Sequence, residues 1–341
     1  MKAAVFYGEH DIRTENLPMP VAGPGQVLVE VHACGICGTD VHIFHGDEGA
    51  AKTPAGTVLG HEFAGKVVAV GEGVKNVKPG DKVTVDPNKL CNECYYCLGG
   101  NGHFCENMMG IGTTVHGGFE QYVAVPSSQC YKFPDELSYE KAAMTEPVSC
   151  CIHGIDMCEI KAGSSVAVIG AGMIGLLMMQ LAKLQGAAKL VVLEPVAEKR
   201  QQALDLGADM VIDPLTEDVK AALVKAGIYN LDCVIECVGK TSTIEQAIDI
   251  AGNQAVVMMF GLTAPDETIS VKPFSIFKKE IVLKSSFINP YTFQRALDMI
   301  SSGKIDVSSM VYKVEPIEEL AAILADPDRR REGKVIIDCT K

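Results

Sequence analysis

From residue 1 to about 147 the chain is written in short runs. "GQVLVEVHA" (25–33) and "AGKVVAVGEGV" (64–74) alternate apolar with small or polar positions, and Gly and Pro punctuate the intervals. That two-residue period with frequent turn residues predicts an all-β body. Between about 148 and 285 the pattern changes. Apolar runs ("SSVAVIG", "KLVVLE", "LDCVIECVG", "QAVVMMFG") alternate with helix-length amphipathic segments ("IGLLMMQLAKLQ", "VAEKRQQALDLG", "TSTIEQAIDIAG"). Strands apolar on both faces and separated by helices predict βαβ units around a buried parallel sheet. "QAVVMMFG" reads as an edge of that sheet, able to pair across a two-fold axis. The remainder, 286–341, predicts helices at "TFQRALDMISSG" and "IEELAAILAD" and a closing strand at "GKVIIDC". A last strand returning to the first body makes that body discontinuous. The expected division is 1–147 with 286–341, and 148–285.

Composition changes this picture little. A length of 341 residues suits about two domains, and 48% hydrophobic against 21% charged residues supplies a substantial core. The formal net charge of -13 argues against a nucleic-acid partner, which needs clustered Lys and Arg. The N-terminus "MKAAVFYGEHDIRTEN" has no apolar run with a cleavage site, and "GLLMMQLA" is far shorter than a bilayer span. The expectation is a cytoplasmic chain without a membrane partner, whose 13 cysteines are thiols or metal ligands rather than disulfides.

"VAVIGAGMIGLLMMQLA" carries Gly170, Gly172 and Gly175 in G-x-G-x-x-G spacing, with a strand running in and a helix running out. The first glycine permits the tight turn, the second admits a pyrophosphate, and the third lets helix and strand pack closely. Gly170, Gly172, Met173, Ile174 and Gly175 are the candidate cofactor-binding residues of the turn. Glu194 ends the next strand, nineteen residues beyond Gly175. A carboxylate there accepts from the adenosine ribose hydroxyls and repels a 2′-phosphate, which favours NAD over NADP. Lys199 and Arg200 follow; they read as a solvated helix face, with Arg200 retained as a candidate cofactor contact.

"CNECYYCLGGNGHFC" places Cys91, Cys94, Cys97 and Cys105 inside fifteen residues. Four thiolates can wrap one zinc ion tetrahedrally and leave no open position, the mark of a structural site. An iron–sulfur cluster also takes four cysteines. A nucleic-acid-binding zinc module is disfavoured because the loop has no Lys or Arg. Upstream, "CGICGTDVH" supplies Cys37, Thr39, Asp40 and His42, and "LGHEFAG" supplies His61 and Glu62. One thiolate, one imidazole and one carboxylate can hold zinc with a position free for a small molecule.

Taken in order, "CGICGTDVHIFHG", "GHEFAGKVVAVGEGVKNVKPGDKV", the four-cysteine loop, "GGFEQYVAVP", "TEPVSCCIHG", "VIGAGMIG" and "GKVIIDC" resemble the zinc-dependent medium-chain dehydrogenases along the whole chain. The similarity is greatest to the polyol (sorbitol-type) branch, with threonine 3-dehydrogenase close behind. The resemblance implies an α/β plus β chain: a discontinuous GroES-like catalytic domain and an inserted Rossmann domain with a doubly wound parallel sheet, the active site lying between them. It implies two zinc ions per chain, one catalytic and one structural, with NAD, an alcohol substrate, and a homotetramer or dimer. Carried over residue by residue, Cys37, His61 and Glu62 match catalytic zinc ligands. Glu146 matches a carboxylate that meets the zinc directly or through its water. Thr39 matches the hydroxyl that begins a proton relay, which His42 would continue, and Asp40 would orient His61. Cys34, Cys130, Cys150, Cys151, Cys158, Cys233, Cys237 and Cys339 match no ligand position and read as packing thiols. Ile288 and Asn289 stand where animal sorbitol dehydrogenases carry an Arg and an aromatic residue that help bind polyol, a departure that bears on the substrate.

Overall fold

A computed structural model describes residues 1–47 and 52–341. It divides into two compact units, one of residues 1–149 with 289–341 and the other of 150–288. The first begins with β1 (Lys2–Gly8), β2 (Asp11–Asn16), β3 (Gln26–Gly35), β4 (Thr57–Val58) and β5 (Glu62–Val70). It continues with β6 (Lys82–Val85), β7 (Asn88–Lys89), β8 (Met109–Gly110), β9 (Tyr122–Pro126) and β10 (Cys130–Lys132). The second unit holds β11 (Ser165–Ile169), β12 (Lys189–Leu193), β13 (Met210–Ile212), β14 (Cys233–Glu236), β15 (Val256–Met259) and β16 (Val282–Ser285). The chain then returns to the first unit with β17 (Val311–Pro316) and β18 (Lys334–Asp338).

In the first unit β3 is the organising strand. One edge pairs with β5 throughout. The other edge is shared: Gln26–Glu30 pair with β9, and Ala33–Gly35 pair with β18. Two irregularities in the β3–β5 register, after Leu28 and after Val31, accompany this change of partner. Alternate residues of β3 and β5, among them Val27, Val29, Val31, Phe63 and Val67, are buried in one core with Phe119, Val335 and Ile337. The final strand therefore belongs to the N-terminal sheet, with Ile336 opposite Gly35.

Buried in this unit, Glu120 carries a cost with a testable sign. Burial raises its carboxyl from the usual 4.5 to about 8, and the N-terminal ammonium only partly offsets that. The folded protein therefore binds a proton that the unfolded chain has released, so stability falls as pH rises from about 4.5 to about 8. Glu120→Gln removes the ionisable group. Urea unfolding of the variant should show a stability gain on the order of 4 kcal/mol at pH 8 that vanishes near pH 4. An equal gain at both pH values would contradict it.

The second unit is a parallel sheet in the order β13-β12-β11-β14-β15-β16. The chain winds outward from β11 in one direction, then crosses to β14 and winds in the other, which is the doubly wound pattern. Val166–Ile169, Leu190–Leu193 and Cys233–Glu236 are all buried, as strands covered on both faces must be. β15, the "QAVVMMFG" run, lies between β14 and β16, so the edge assigned to it from sequence is corrected: β16 is the edge. β16 reads "VLKS" and its mixed polarity hides it from a search for apolar runs.

Candidate metal centres and dinucleotide site

The end of the first unit's sheet gathers the first candidate site. Gly35 of β3 stands opposite Glu62 of β5, and the chain after β3 turns into the helix Gly38–Phe44 with Cys37 at its N-cap. The ligand atoms of Cys37, His61 and Glu62 lie within 4.8 Å of one another. Gly35 is required here: a Cβ on it would stand 2.3 Å from Glu62 Oε2. Asp40, fully buried, ties two ligands together. Its Oδ2 accepts the Cys37 backbone N–H at 2.8 Å, and its Oδ1 stands 3.4 Å from His61 Nδ1. Both of those last atoms are buried without a hydrogen bond. Burial opposes a charge on His61, but Asp40 and Cys37 outweigh it and raise the imidazole well above its ordinary range. The pocket thus favours positive charge, and its thiol, imidazole and carboxylate are the donor set of a zinc centre with an open position.

Lys334 is the residue that sequence reading missed. It starts β18, is buried, and donates from Nζ to Glu62 Oε1 at 2.8 Å, to Glu62 Oε2 at 2.5 Å and to the Ile36 carbonyl at 2.8 Å. A lysine in "GKVIIDC" carries no motif signal, because its partner lies 272 residues away. Glu146 is buried in the first turn of the helix Thr145–Met157; it does not join the 4.8 Å set, although its charge acts on Lys334. Thr39 is half-buried in the first turn after Cys37. His42 turns its Nδ1 to Asp47 Oδ2 at 3.2 Å on the surface. Asn289 is 2% exposed, its amide shared between Asn88 and Ser149. Its polar atoms are thus committed to a buried network at the base of the cysteine loop.

The four-cysteine loop is closed in itself. The Sγ atoms of Cys91, Cys94, Cys97 and Cys105 all lie within 4.8 Å of one another, and those of Cys91 and Cys97 are 3.9 Å apart. A zinc–sulfur bond of about 2.3 Å gives a tetrahedral edge of about 3.8 Å, so the spacing fits one zinc ion. The Cys94 N–H points at Cys91 Sγ and the Cys91 N–H at Cys105 Sγ, each at 3.4 Å. Backbone N–H groups of Cys97 and Glu106 bring the Cys94 thiol down to about 6, while burial pushes the Cys97 thiol up to about 12, so it is the spacing of the four sulfurs that carries the zinc reading. Of the cysteines without a ligand position, Cys34, Cys130, Cys151, Cys158, Cys233 and Cys339 are buried, while Cys150 and Cys237 are half-buried.

In the second unit β11 runs into Gly170 and Gly172, and the helix Met173–Gln185 begins directly after, with Gly172 as its N-cap. Gly170 has φ +94°, open to glycine at little cost. A Cβ on Gly175 would stand 1.9 Å from the Gly170 carbonyl oxygen, so helix and strand meet at glycine contact. Nothing lies within 4 Å of a Cβ on Gly172, which leaves the helix N-terminus open to an anion. Glu194 follows β12 and is buried. Its Oε2 accepts from Ala171 N–H at 2.8 Å and its Oε1 from Val196 N–H at 3.0 Å, which locks it against the glycine turn. Arg200 does not lie on a solvated face as its helix position suggested. It is half-buried, donating to the Glu194 carbonyl at 2.7 Å and standing 3.3 Å from Asp213.

Two family models match, an alcohol dehydrogenase GroES-like domain over residues 23–135 and a zinc-binding dehydrogenase over residues 174–302. D-arabinitol dehydrogenase 1 of Uromyces fabae is 34% identical across 99% of this chain and 97% of its own. L-threonine 3-dehydrogenase of Caldanaerobacter subterraneus subsp. tengcongensis is 35% identical across 94% of this chain and 93% of its own. Among solved structures, a protein of Sinorhizobium meliloti 1021 described as a zinc-binding dehydrogenase and bound to NADP superposes with a TM-score of 0.94. It is 37% identical, covering 99% of this chain and 98% of that one. A GroES-like domain, a parallel dinucleotide fold and a zinc donor set define an oxidoreductase acting on CH–OH groups. This chain belongs to the zinc-type medium-chain alcohol dehydrogenases. Among the described residues, no helix is long and apolar enough to cross a membrane.

Proposed function

We propose that this enzyme oxidises a secondary alcohol of the polyol class with NAD, holding one catalytic and one structural zinc ion. The observation that carries the reading is the mixed cluster of Cys37, His61 and Glu62 beside the all-thiolate cluster of Cys91, Cys94, Cys97 and Cys105. The first has a donor set that leaves a coordination position open, and the second is saturated. A zinc ion held by Cys37, His61 and Glu62 supplies Lewis-acid activation of the alcohol hydroxyl when bound. The chain's own residues do the rest. Asp40 fixes the Cys37 backbone and faces the His61 ring, Glu146 adds negative charge that acts on Lys334, and Thr39 offers the first hydroxyl for the departing proton. His42 and Asp47 form a surface pair able to pass that proton to solvent. Gly170, Gly172, Met173, Ile174 and Gly175 present the helix N-terminus to the pyrophosphate.

The preference for NAD rests on Glu194. Fixed by two backbone N–H groups, its carboxylate keeps lone pairs for ribose hydroxyls and its charge opposes a 2′-phosphate. Arg200, turned to the Glu194 carbonyl and Asp213, is engaged away from that position. The polyol class fits the similarity to an arabinitol dehydrogenase. Asn289, withdrawn into its network, leaves polyol recognition to other residues.

The reading is tested with C4 to C6 polyols, L-threonine and simple secondary alcohols, each with NAD and NADP. Turnover of polyols with NAD is the expected result; turnover of threonine alone would overturn the substrate class. Glu194→Ser should narrow the NAD over NADP preference in kcat/KM by about 10-fold or more, because a like-charge contact with the 2′-phosphate is removed. An unchanged ratio would remove Glu194 from cofactor choice.

A further inference from the structure

Glu236 is the last residue of β14, in register with Ile169 of β11 on one side and Met259 of β15 on the other. β11 and β14 are the strands between which the winding reverses, so Glu236 sits at the switch point of the sheet, on the carboxyl-end side where such folds take their ligands. It is fully buried, yet it is not packing material. Its Oε1 collects three donors: the N–H of Val238 at 2.8 Å, the N–H of Gly239 at 2.9 Å and the hydroxyl of Thr243 at 2.8 Å. Its backbone carbonyl accepts the N–H groups of Phe260 and Gly261, both at 2.9 Å. Its Oε2 is buried with no hydrogen-bond partner.

One residue thus anchors two loops, 237–240 after β14 and 260–262 after β15. The loops meet at glycine contact: a Cβ on Gly261 would stand 2.2 Å from the Gly239 nitrogen and 2.7 Å from Glu236 Oε2. A Cβ on Gly239 would stand 2.4 Å from the Leu262 carbonyl oxygen. A buried carboxylate oxygen left bare is unfavourable for folding, and a charge-assisted bond to backbone N–H groups is about twice as strong as a neutral one. The arrangement is what a site needs when loop shape matters more than stability.

The location says which part of the ligand is served. A doubly wound sheet binds a dinucleotide as two mononucleotide halves, one on each side of the switch point. Glu194, after β12, lies on the side read above as the adenosine half. β14 and β15 lie on the other. We infer that Glu236 is a positioning residue for the nicotinamide half of the cofactor, its carboxylate setting the two loops that receive the nicotinamide riboside while the adenosine half depends on it little. This rests on the dinucleotide reading of the glycine turn.

The test compares NADH with ADP, which shares only the adenosine half. Binding is measured on full-length, zinc-loaded protein by NADH emission, which has no tryptophan background in this chain, and by calorimetry for ADP. Glu236→Gln keeps the shape but removes the charge and places an amide NH2 where Oε2 had no donor opposite it. NADH should bind about 10-fold more weakly, ADP within about twofold of the native protein, at unchanged zinc content. Equal affinity for NADH in variant and native protein would overturn the inference. So would parallel loss for both ligands, because the carboxylate would then hold the unit as a whole. If Glu236→Gln does not fold, Thr243→Val removes a single donor and should weaken NADH about threefold with ADP unaffected; native behaviour there would overturn it too. Failure of the native protein to bind NADH at all would instead sink the dinucleotide reading itself.

Discussion

Cys37→Ser should lower alcohol oxidation by roughly 10³- to 10⁵-fold, the several kcal/mol that metal activation of a hydroxyl supplies. Serine is nearly isosteric, but at neutral pH it offers a hydroxyl where zinc prefers a thiolate. The N-cap geometry should survive, because the bond from Cys37 N–H to Asp40 Oδ2 involves the backbone and not the sulfur. NADH affinity and the zinc of the four-cysteine loop should both be retained, since neither the glycine turn nor Cys91, Cys94, Cys97 and Cys105 is altered. The decisive comparison is therefore turnover against NADH binding and zinc content in one preparation. Full activity in the variant would show that the Cys37, His61 and Glu62 cluster is not the reaction centre.

Lys334→Met should destabilise the metal-stripped protein by about 3–5 kcal/mol, the cost of leaving one member of a buried ion pair without its partner. Both side chains are within 3% of complete burial, and Lys334 holds both oxygens of Glu62. Adding Glu62→Gln to Lys334→Met should recover much of the loss, because the remaining buried group is then neutral. Zinc should also narrow the deficit, since a dication beside Glu62 compensates the missing ammonium. Urea unfolding of the single and double variants, with and without zinc, measures all of this. A loss below about 1 kcal/mol in the stripped single variant, the range of a surface pair, would mean that Glu62 does not depend on Lys334.

The elements with the strongest local signals were the most legible. The glycine turn announces itself because each of its positions answers a steric demand: φ +94° at Gly170, and a 1.9 Å approach to a backbone carbonyl at Gly175. The four cysteines are legible because all the ligands come from one loop. The Cys37, His61 and Glu62 set takes its ligands from two segments, and the residues alone did not separate it from scattered polar groups; family resemblance supplied that step. Lys334 and Glu236 were invisible. The first acts through a partner 272 residues away, and the second reads as one polar letter closing an apolar strand. Arg200 was misread as solvated for a related reason: its partner Asp213 follows from tertiary packing and not from helical period. The edge of the parallel sheet was misplaced because β16 carries Lys284 and Ser285, and a strand of mixed polarity gives no apolar run.

The most direct measurement follows bound zinc and alcohol-dependent NAD reduction together while a chelator is added to the zinc-replete native protein. An open site with one thiolate should release its ion before a closed site with four. Two zinc ions per chain are expected at the start, with activity that falls in step with loss of the first while the fold and the second zinc persist. Activity that survives loss of the first zinc, or that disappears only as the protein unfolds, would contradict it.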